Sequence, residues 1–210
     1  MTEDLLQKLY AQYRVPVHIR KHMEKVAAVA LYIGQILKQK GEKIDLVKLR
    51  QAALLHDVLK LCDFRELDLE NFEQDVTAED IQFWSALMKS CHKDGHITAA
   101  VNMLNDIGEN EIAEIVKKHR YTCLIEPKEK PATWEEKILY YSDKRVKHDR
   151  IATLAERLTD GRQRYFPDGN PPATDHLVET ALYELESEIT KKAGINPEDI
   201  NEKSVAVYNG

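Results

Sequence analysis

The chain has 210 residues, of which 31% are charged, and it contains only 8 glycines and 7 prolines. This length is enough for one domain with a sizeable core, and the composition favours helices joined by short loops over a disordered chain. The formal net charge of −6 argues against a broad nucleic-acid surface, although a small anionic substrate needs only local positive charge.

Apolar residues at helical spacing account for the first part of the chain. The longest segment begins after Pro16 and ends before Gly41, which are residues that commonly bound a helix. Asp45 is the expected N-cap of the next helix. An acidic stretch without periodicity follows, and we interpret it as a long loop of the kind that is often functional. The predicted elements are helices over 3–13, 17–39 and 45–56 and a loop over 61–76.

Two capping boxes mark helix starts in the second part of the chain. Thr77 with Asp80, and Thr133 with Glu136, have the required spacing, and Asp94 is expected to cap a helix between them. No segment reads convincingly as a β-strand, so the predicted fold class is all-α. The predicted helices run from Thr77 through Met88, from Asp94 to Gly108, from Ile112 to His119, from Thr133 toward Gly161 and over 174–192.

The cysteines and the N-terminus predict a reduced, cytoplasmic protein. Cys62, Cys91 and Cys123 are odd in number and far apart, without a CxxC zinc motif, so we expect free thiols and no disulfide. The N-terminus is acidic and lacks an apolar signal segment. No run approaches the roughly 18 apolar residues of a membrane span, so no membrane attachment is expected.

The adjacent residues His56 and Asp57 are the most informative feature of the chain. They follow an apolar run, where a carboxylate is costly unless it is paired, and a carboxylate and an imidazole can bind one cation together. Further histidines and one aspartate lie on other predicted helices. The candidate metal ligands are His22, His56, Asp57, His96, His119 and Asp143.

These donors predict one or two divalent transition-metal ions. Imidazole and carboxylate together suit Fe, Mn, Co, Ni or Zn better than Ca or Mg. The two oxygens of Asp57 can bridge two ions, one held by His22, His56 and Asp143 and the other by the later histidines. Two such ions activate a water and stabilise the leaving oxygen of a phosphate ester.

Five segments carry a family resemblance: HMEKV from His22, LLHDVLK ending at Lys60, HITAAVNML from His96, IVKKH ending at His119, and ILYYSDK ending at Lys144. Their order resembles the HD superfamily of metal-dependent phosphohydrolases, over roughly residues 15–150. The later segment DRIATLAERLTDGRQRYFP is similar to the tail of small bacterial HD hydrolases, whereas the family's HDIGK motif here reads HDVLK. The resemblance implies an HD-type helical bundle over 1–150, with a C-terminal helical extension over 151–210 packed on it.

Some assignments stay open between neighbouring residues. His18 and His22 share a helix face, and His92 precedes His96 by four residues; the family pattern favours His22 and His96 as ligands. Asp63 is a candidate general base or partner of a metal-bound water. The histidines outside the pattern, His148 and His176, are expected at the surface.

The expected function is hydrolysis of a phosphate ester or anhydride, with a nucleotide as the small phosphorylated substrate, by in-line attack of metal-bound hydroxide. Weaker candidates for holding the phosphate are Arg20 and Arg120. The six-ligand pattern resembles the two-metal subset, which includes dinucleoside-tetraphosphate hydrolases. A di-iron oxygenase of the HD type and a non-catalytic nucleotide-sensing module are the alternatives, and a homodimer is a candidate assembly. The residues expected to act in catalysis are Asp57, Lys60, Lys144 and Arg145.

Overall fold

The computed structural model describes residues 2–208, apart from the side chain of Asn71. Within these residues the chain forms ten α-helices and one short antiparallel hairpin, so the all-α prediction is confirmed. None of the described helices combines the length and apolarity that a membrane span requires. The helices are α1 Glu3–Gln12, α2 Val17–Gln39, α3 Leu46–Leu55, α4 Ala78–Cys91, α5 Gly95–Asp106, α6 Asn110–Lys117, α7 Trp134–Lys144, α8 Leu154–Tyr165, α9 Ala173–Ala193 and α10 Glu202–Val205, and the strands are β1 Val146–Lys147 and β2 Arg150–Ile151.

Helix α2 is the centre of the bundle and has the predicted bounds. Helices α3 and α7 pack against it, and α6 packs against both of these. Gly34 permits the close approach of α3, because a Cβ atom there would lie 2.8 Å from Cδ2 of Leu49 and 2.9 Å from Cδ2 of Leu46. This packing brings the start of α2 close to the ends of α3, α6 and α7.

Local capping explains where several helices begin. The side chain of Asp45 accepts hydrogen bonds from the first turn of α3, as predicted. Thr77 and Thr133 form the predicted capping boxes of α4 and α7. Asp94 precedes α5, but its side chain forms no cap hydrogen bond there.

The prediction of one helix from Thr133 toward Gly161 is wrong, because α7 ends at Lys144. The hairpin β1–β2 follows, where no strand was expected. Its turn contains His148, whose φ of 56° is incompatible with a continuing right-handed helix. Thr153 then starts α8 with a capping box of its own.

The prediction of free thiols is wrong for two of the three cysteines. Cys62 and Cys91 form a disulfide with Cα atoms 5.3 Å apart, whereas Cys123 is a buried free thiol. Cys62 lies in a short 3-10 helix, Lys60–Asp63, inside the segment predicted as a loop, and α4 packs against this 3-10 helix. The two cysteines are 29 positions apart in sequence, so only the tertiary packing brings them together.

Residues on both sides of position 150 contribute to one hydrophobic core. Leu158, Leu182 and Ile189 belong to the same buried cluster as the apolar residues of α2 and α7. Helix α9 packs on α2 and α7, and α10 packs on α2. The division into 1–150 and 151–210 remains a prediction.

Candidate metal centre

Six side chains converge where the second turn of α2 and the first turn of α5 meet the ends of α3, α6 and α7. They are the six residues that the sequence predicts as ligands, and all except His22 are buried. His22 lies on α2, His56 and Asp57 directly follow α3, His96 is in the first turn of α5, His119 follows α6, and Asp143 is near the end of α7. The bundle therefore places donors from five helices at one point, while their role as ligands remains a prediction.

Three of the four histidine rings are oriented by main-chain carbonyl groups. Each carbonyl accepts a hydrogen bond from Nδ1, which assigns the proton to that nitrogen and leaves the Nε2 lone pair free. The distances from Nδ1 are 2.7 Å to the oxygen of His148 for His22, 2.8 Å to that of Ala53 for His56, and 2.5 Å to that of Val116 for His119.

Asp63 orients the fourth ring, that of His96. Its Oδ2 atom pairs with Nδ1 of His96, and its Oδ1 atom accepts a hydrogen bond from the His96 backbone N at 2.9 Å. Asp63 therefore caps α5 and holds a candidate ligand at the same time. Gly95 has a φ of 74°, a left-handed conformation that favours glycine, at the point where the chain turns into α5.

The four Nε2 atoms all face the carboxylates of Asp57 and Asp143. Asp57 Oδ1 lies 3.0 Å from Nε2 of His96 and 3.7 Å from that of His119, whereas Oδ2 lies 3.9 Å from that of His22 and 3.7 Å from that of His56. Asp143 Oδ1 lies 3.2 Å from Nε2 of His22 and 3.6 Å from that of His56. The centre thus has two halves, a first half of His22, His56 and Asp143 and a second half of Asp57, His96 and His119, with Asp57 between them.

Two features show that this donor set fits a bound cation. The buried Nε2 atom of His56 has no hydrogen-bonding partner among the described residues. The Nε2 atoms of His96 and His119 lie 3.3 Å apart, and with both protons on Nδ1 their lone pairs face each other. A cation removes both problems, and mixed imidazole and carboxylate donors are those that transition metals take.

The electrostatics keep the two carboxylates and the ring of His119 in the forms that bind metals. Burial would raise the pKa of Asp57, but Lys60 and the nearby histidines hold it well below its usual value. Burial opposes ionisation of Asp143 in the same way, and Lys144 and the histidines hold its pKa well below the usual value. Burial lowers the pKa of His119 to about 4, so its ring is neutral at neutral pH.

Two of the three predicted cations lie beside the carboxylates. Lys60 Nζ lies 3.4 Å from Asp57 Oδ1, and its side chain is 34% exposed. Lys144 pairs with Asp143 Oδ2 and lies 5.1 Å from the ring centroid of Tyr140. Of these two lysines, Lys60 has the greater access to solvent.

The structure corrects the expectation that Arg145 belongs to this site. Its side chain is 2% exposed, points toward the C-terminal segment and lies 3.5 Å from Glu186. Its donors bind the carbonyl oxygens of Ala152, Pro197 and Ile200 and the hydroxyl of Tyr141. The sequence shows that position 145 carries a charged side chain, but it does not show which way this side chain points. Arg20 also lies elsewhere, in a separate cavity beside Trp84.

One member of each histidine pair lies in the cluster. His22 does, whereas His18 packs edge-on against Phe72 with ring centroids 4.8 Å apart. His96 does, whereas His92 is exposed. The family pattern and the structure favour the same member of each pair.

A cavity of about 660 Å³ adjoins the second half of the centre. His96 and Asp63 contribute to its lining, together with the apolar side chain of Val101 and the ring of Tyr121. Lys117 also lines it, is 44% exposed and lies 3.8 Å from Glu129, which belongs to the same lining. The remaining cation of the lining, Arg120, pairs with Glu126.

Sequence reasoning missed two residues that position the cluster. The sequence predicts Asp63 to be a general base or a partner of a metal-bound water, although a carboxylate six residues after Asp57 is also suited to orient a ligand, as it does for His96. His148 was expected to be an ordinary surface residue, and its side chain is exposed. Its contribution is a backbone carbonyl in a left-handed turn, for which the sequence carries no signal.

Comparison with known proteins agrees with this geometry. The family model of the HD domain matches residues 19–195, a segment that contains all six residues of the cluster. No curated protein and no solved structure matches the chain significantly. Because this match covers most of the chain, and because the fold brings the His-Asp pair together with the other four donors, the protein belongs to the HD domain family.

Proposed function

We propose that this protein is a metal-dependent phosphohydrolase that acts on a phosphate ester or anhydride of a nucleotide. The HD domain family consists mostly of hydrolases. The observation that carries the proposal is the convergence of four Nε2 atoms on two carboxylates, with the two oxygens of Asp57 facing different histidine pairs. Such a centre is suited to one or two divalent ions of Fe, Mn, Co, Ni or Zn, which lower the pKa of a water and polarise a phosphoryl oxygen when bound.

In this proposal, each residue of the centre has a separate role. The first half, His22, His56 and Asp143, would hold one ion, and the second half, to which Asp57 belongs, would hold the other. Lys60 contacts the substrate phosphate, because its ammonium group is partly exposed beside Asp57. Lys144 stays on Asp143 and offsets its charge.

The cavity beside His96 supports a nucleotide as the substrate. Its volume of about 660 Å³ lies in the range of small-molecule sites. The ring of Tyr121 and the side chain of Val101 offer an apolar surface to a base, and Lys117 offers a cation to a further phosphate or to the sugar. A phosphate placed at Asp57 and Lys60 would direct the rest of the molecule into this cavity.

The test is a hydrolysis screen of metal-stripped protein reloaded with each candidate ion in turn. Nucleoside mono-, di- and triphosphates and dinucleoside polyphosphates serve as substrates, and tripolyphosphate serves as a substrate without a base. We expect nucleotide hydrolysis that disappears in His56→Ala and persists in His176→Ala, a variant of an exposed histidine outside the cluster. No turnover with any ion would refute the proposal.

The two alternatives make different predictions in the same experiment. A di-iron oxygenase would consume dioxygen with iron alone and would release no phosphate. A sensing module would bind nucleotide without turnover. The ammonium group of Lys60 beside Asp57 supports an anionic ligand, which the hydrolase and the sensing module share, and turnover separates these two.

A further inference from the structure

Two cross-links join the same two segments of the chain next to the second half of the centre. The disulfide joins Cys62, in the 3-10 helix Lys60–Asp63, to Cys91 at the end of α4. The neighbouring Asp63 accepts two hydrogen bonds from His96, in the first turn of α5. Cys62 and Asp63 are adjacent on the first segment, and Cys91 and His96 are five positions apart on the second.

We propose that the Cys62–Cys91 disulfide is a redox switch that controls how firmly Asp63 holds His96. The inference rests on the proposed function, because it concerns the regulation of the same site. With the disulfide formed, the two segments are held at the distance at which both hydrogen bonds to Asp63 are made. With the disulfide reduced, the non-covalent packing of α4 and α5 on the 3-10 helix and the Asp63–His96 pair are what joins them at this point.

The pair is not strong enough to replace the covalent bond. The Asp63 side chain is 40% exposed, so water competes for its oxygens, and an ion pair open to solvent contributes little. The disulfide lowers the entropic cost of forming the pair, since the segments are already ordered. Its loss therefore lets His96 turn away from Asp57.

The effect is confined to the second half of the centre. His22 and His56 are oriented by the main-chain carbonyls of His148 and Ala53, which the disulfide does not touch. Asp143 belongs to α7, which packs on α2 and α3. Reduction should therefore weaken one half and leave the other intact.

The chemistry is thiol–disulfide exchange with a low-molecular-weight thiol. A thiolate attacks Sγ of Cys91, which is 7% exposed whereas Cys62 is fully buried. The disulfide bond breaks and Cys62 leaves as a thiolate that takes up a proton. A second small thiolate attacks the small molecule's sulfur in the mixed disulfide and releases Cys91, so that two small thiols become one small disulfide. The reverse reaction uses a small disulfide as the oxidant.

The first test is amide hydrogen exchange of the metal-free protein before and after reduction with dithiothreitol. We expect the His96 amide to exchange about tenfold faster or more after reduction, because Asp63 protects it, while the amide of Leu139 in α7 is unchanged. Cys123→Ser should respond as the wild type does, since Cys123 is outside the disulfide. The double variant Cys62→Ser/Cys91→Ser should exchange fast with or without thiol. An unchanged His96 amide in reduced wild-type protein overturns the proposal, and this comparison needs no variant to fold.

The second test is calorimetric titration of oxidised and reduced protein with Mn²⁺. Loss of an interaction that orients a metal ligand typically weakens affinity by about 10–100-fold, so we expect one of the two sites to lose at least about tenfold on reduction and the other to stay unchanged. Equal affinities in both states would overturn the proposal. If neither Mn²⁺ nor any of the other candidate ions binds in either state, the proposed function fails, while the amide exchange still decides whether the switch exists.

Discussion

Replacing Arg145 tests whether this buried guanidinium stabilises the fold or acts on the substrate. In Arg145→Leu, three carbonyl oxygens and the Tyr141 hydroxyl lose their donor, and Glu186 loses its ion-pair partner. Removing one partner of a buried charged pair costs about 3–5 kcal/mol. For a chain of this length each kcal/mol lowers the thermal midpoint by about 2–4 °C, so we expect a loss of roughly 6–20 °C.

Thermal unfolding followed by circular dichroism measures this loss, with Arg150→Leu as a control at an exposed arginine five positions away. Arg145→Lys keeps the charge but not the planar arrangement of donors, so it should lie between the wild type and Arg145→Leu. Hydrolysis measured well below the midpoint should stay close to the wild-type rate. A variant that keeps its midpoint within about 2 °C but loses turnover would refute this reasoning and place Arg145 in catalysis.

Three further predictions concern the centre itself. His96→Ala should reduce bound Mn²⁺ from about two equivalents to about one, whereas the exposed His92→Ala should keep both; equal losses would contradict the assignment. Thr98→Trp narrows the cavity and should raise KM for a nucleotide about tenfold while sparing tripolyphosphate, and an equal effect on both substrates would move the binding site elsewhere. Because burial lowers the pKa of His119 to about 4 from 6.5, the unfolded metal-free chain takes up a proton that the folded chain excludes as pH falls between these values. Despite burial, neighbouring carboxylates raise the pKa of His56 and His96, which contribute in the opposite direction, so the quantity to measure by chemical denaturation is the difference between wild type and His119→Gln. The free energy of unfolding of the wild type relative to His119→Gln should fall by about 3 kcal/mol as the pH drops across this window, and a difference that does not change with pH would contradict the burial argument.

Helix starts were predictable wherever the signal is local. Asp45, Thr77 and Thr133 satisfy backbone N–H groups within their own first turn, so a few residues contain the whole interaction. The start of α8 carries the same signal, Thr153 followed three residues later by Glu156. This signal is incompatible with the single helix predicted from Thr133 toward Gly161. The left-handed turn at His148 has no comparable sequence marker.

The residue types of the cluster were predictable, but the direction of side chains was not. Carboxylates and imidazoles among apolar helical positions require an explanation, and a common site supplies it. Arg145 follows directly after Lys144, yet its partners Pro197 and Ile200 are more than fifty positions away. The partner of Cys62 is 29 positions away, so only the folded chain reveals either contact.

The way the four rings are held also determines how the centre can change during evolution. Three rings depend on main-chain carbonyls at Ala53, Val116 and His148, which every amino acid supplies, so side-chain replacement there leaves the acceptor in place. The ring of His96 depends on a carboxylate that a single codon change can delete. Substitutions at position 63 can therefore change how His96 is held in the second half of the centre, while the first half stays constant.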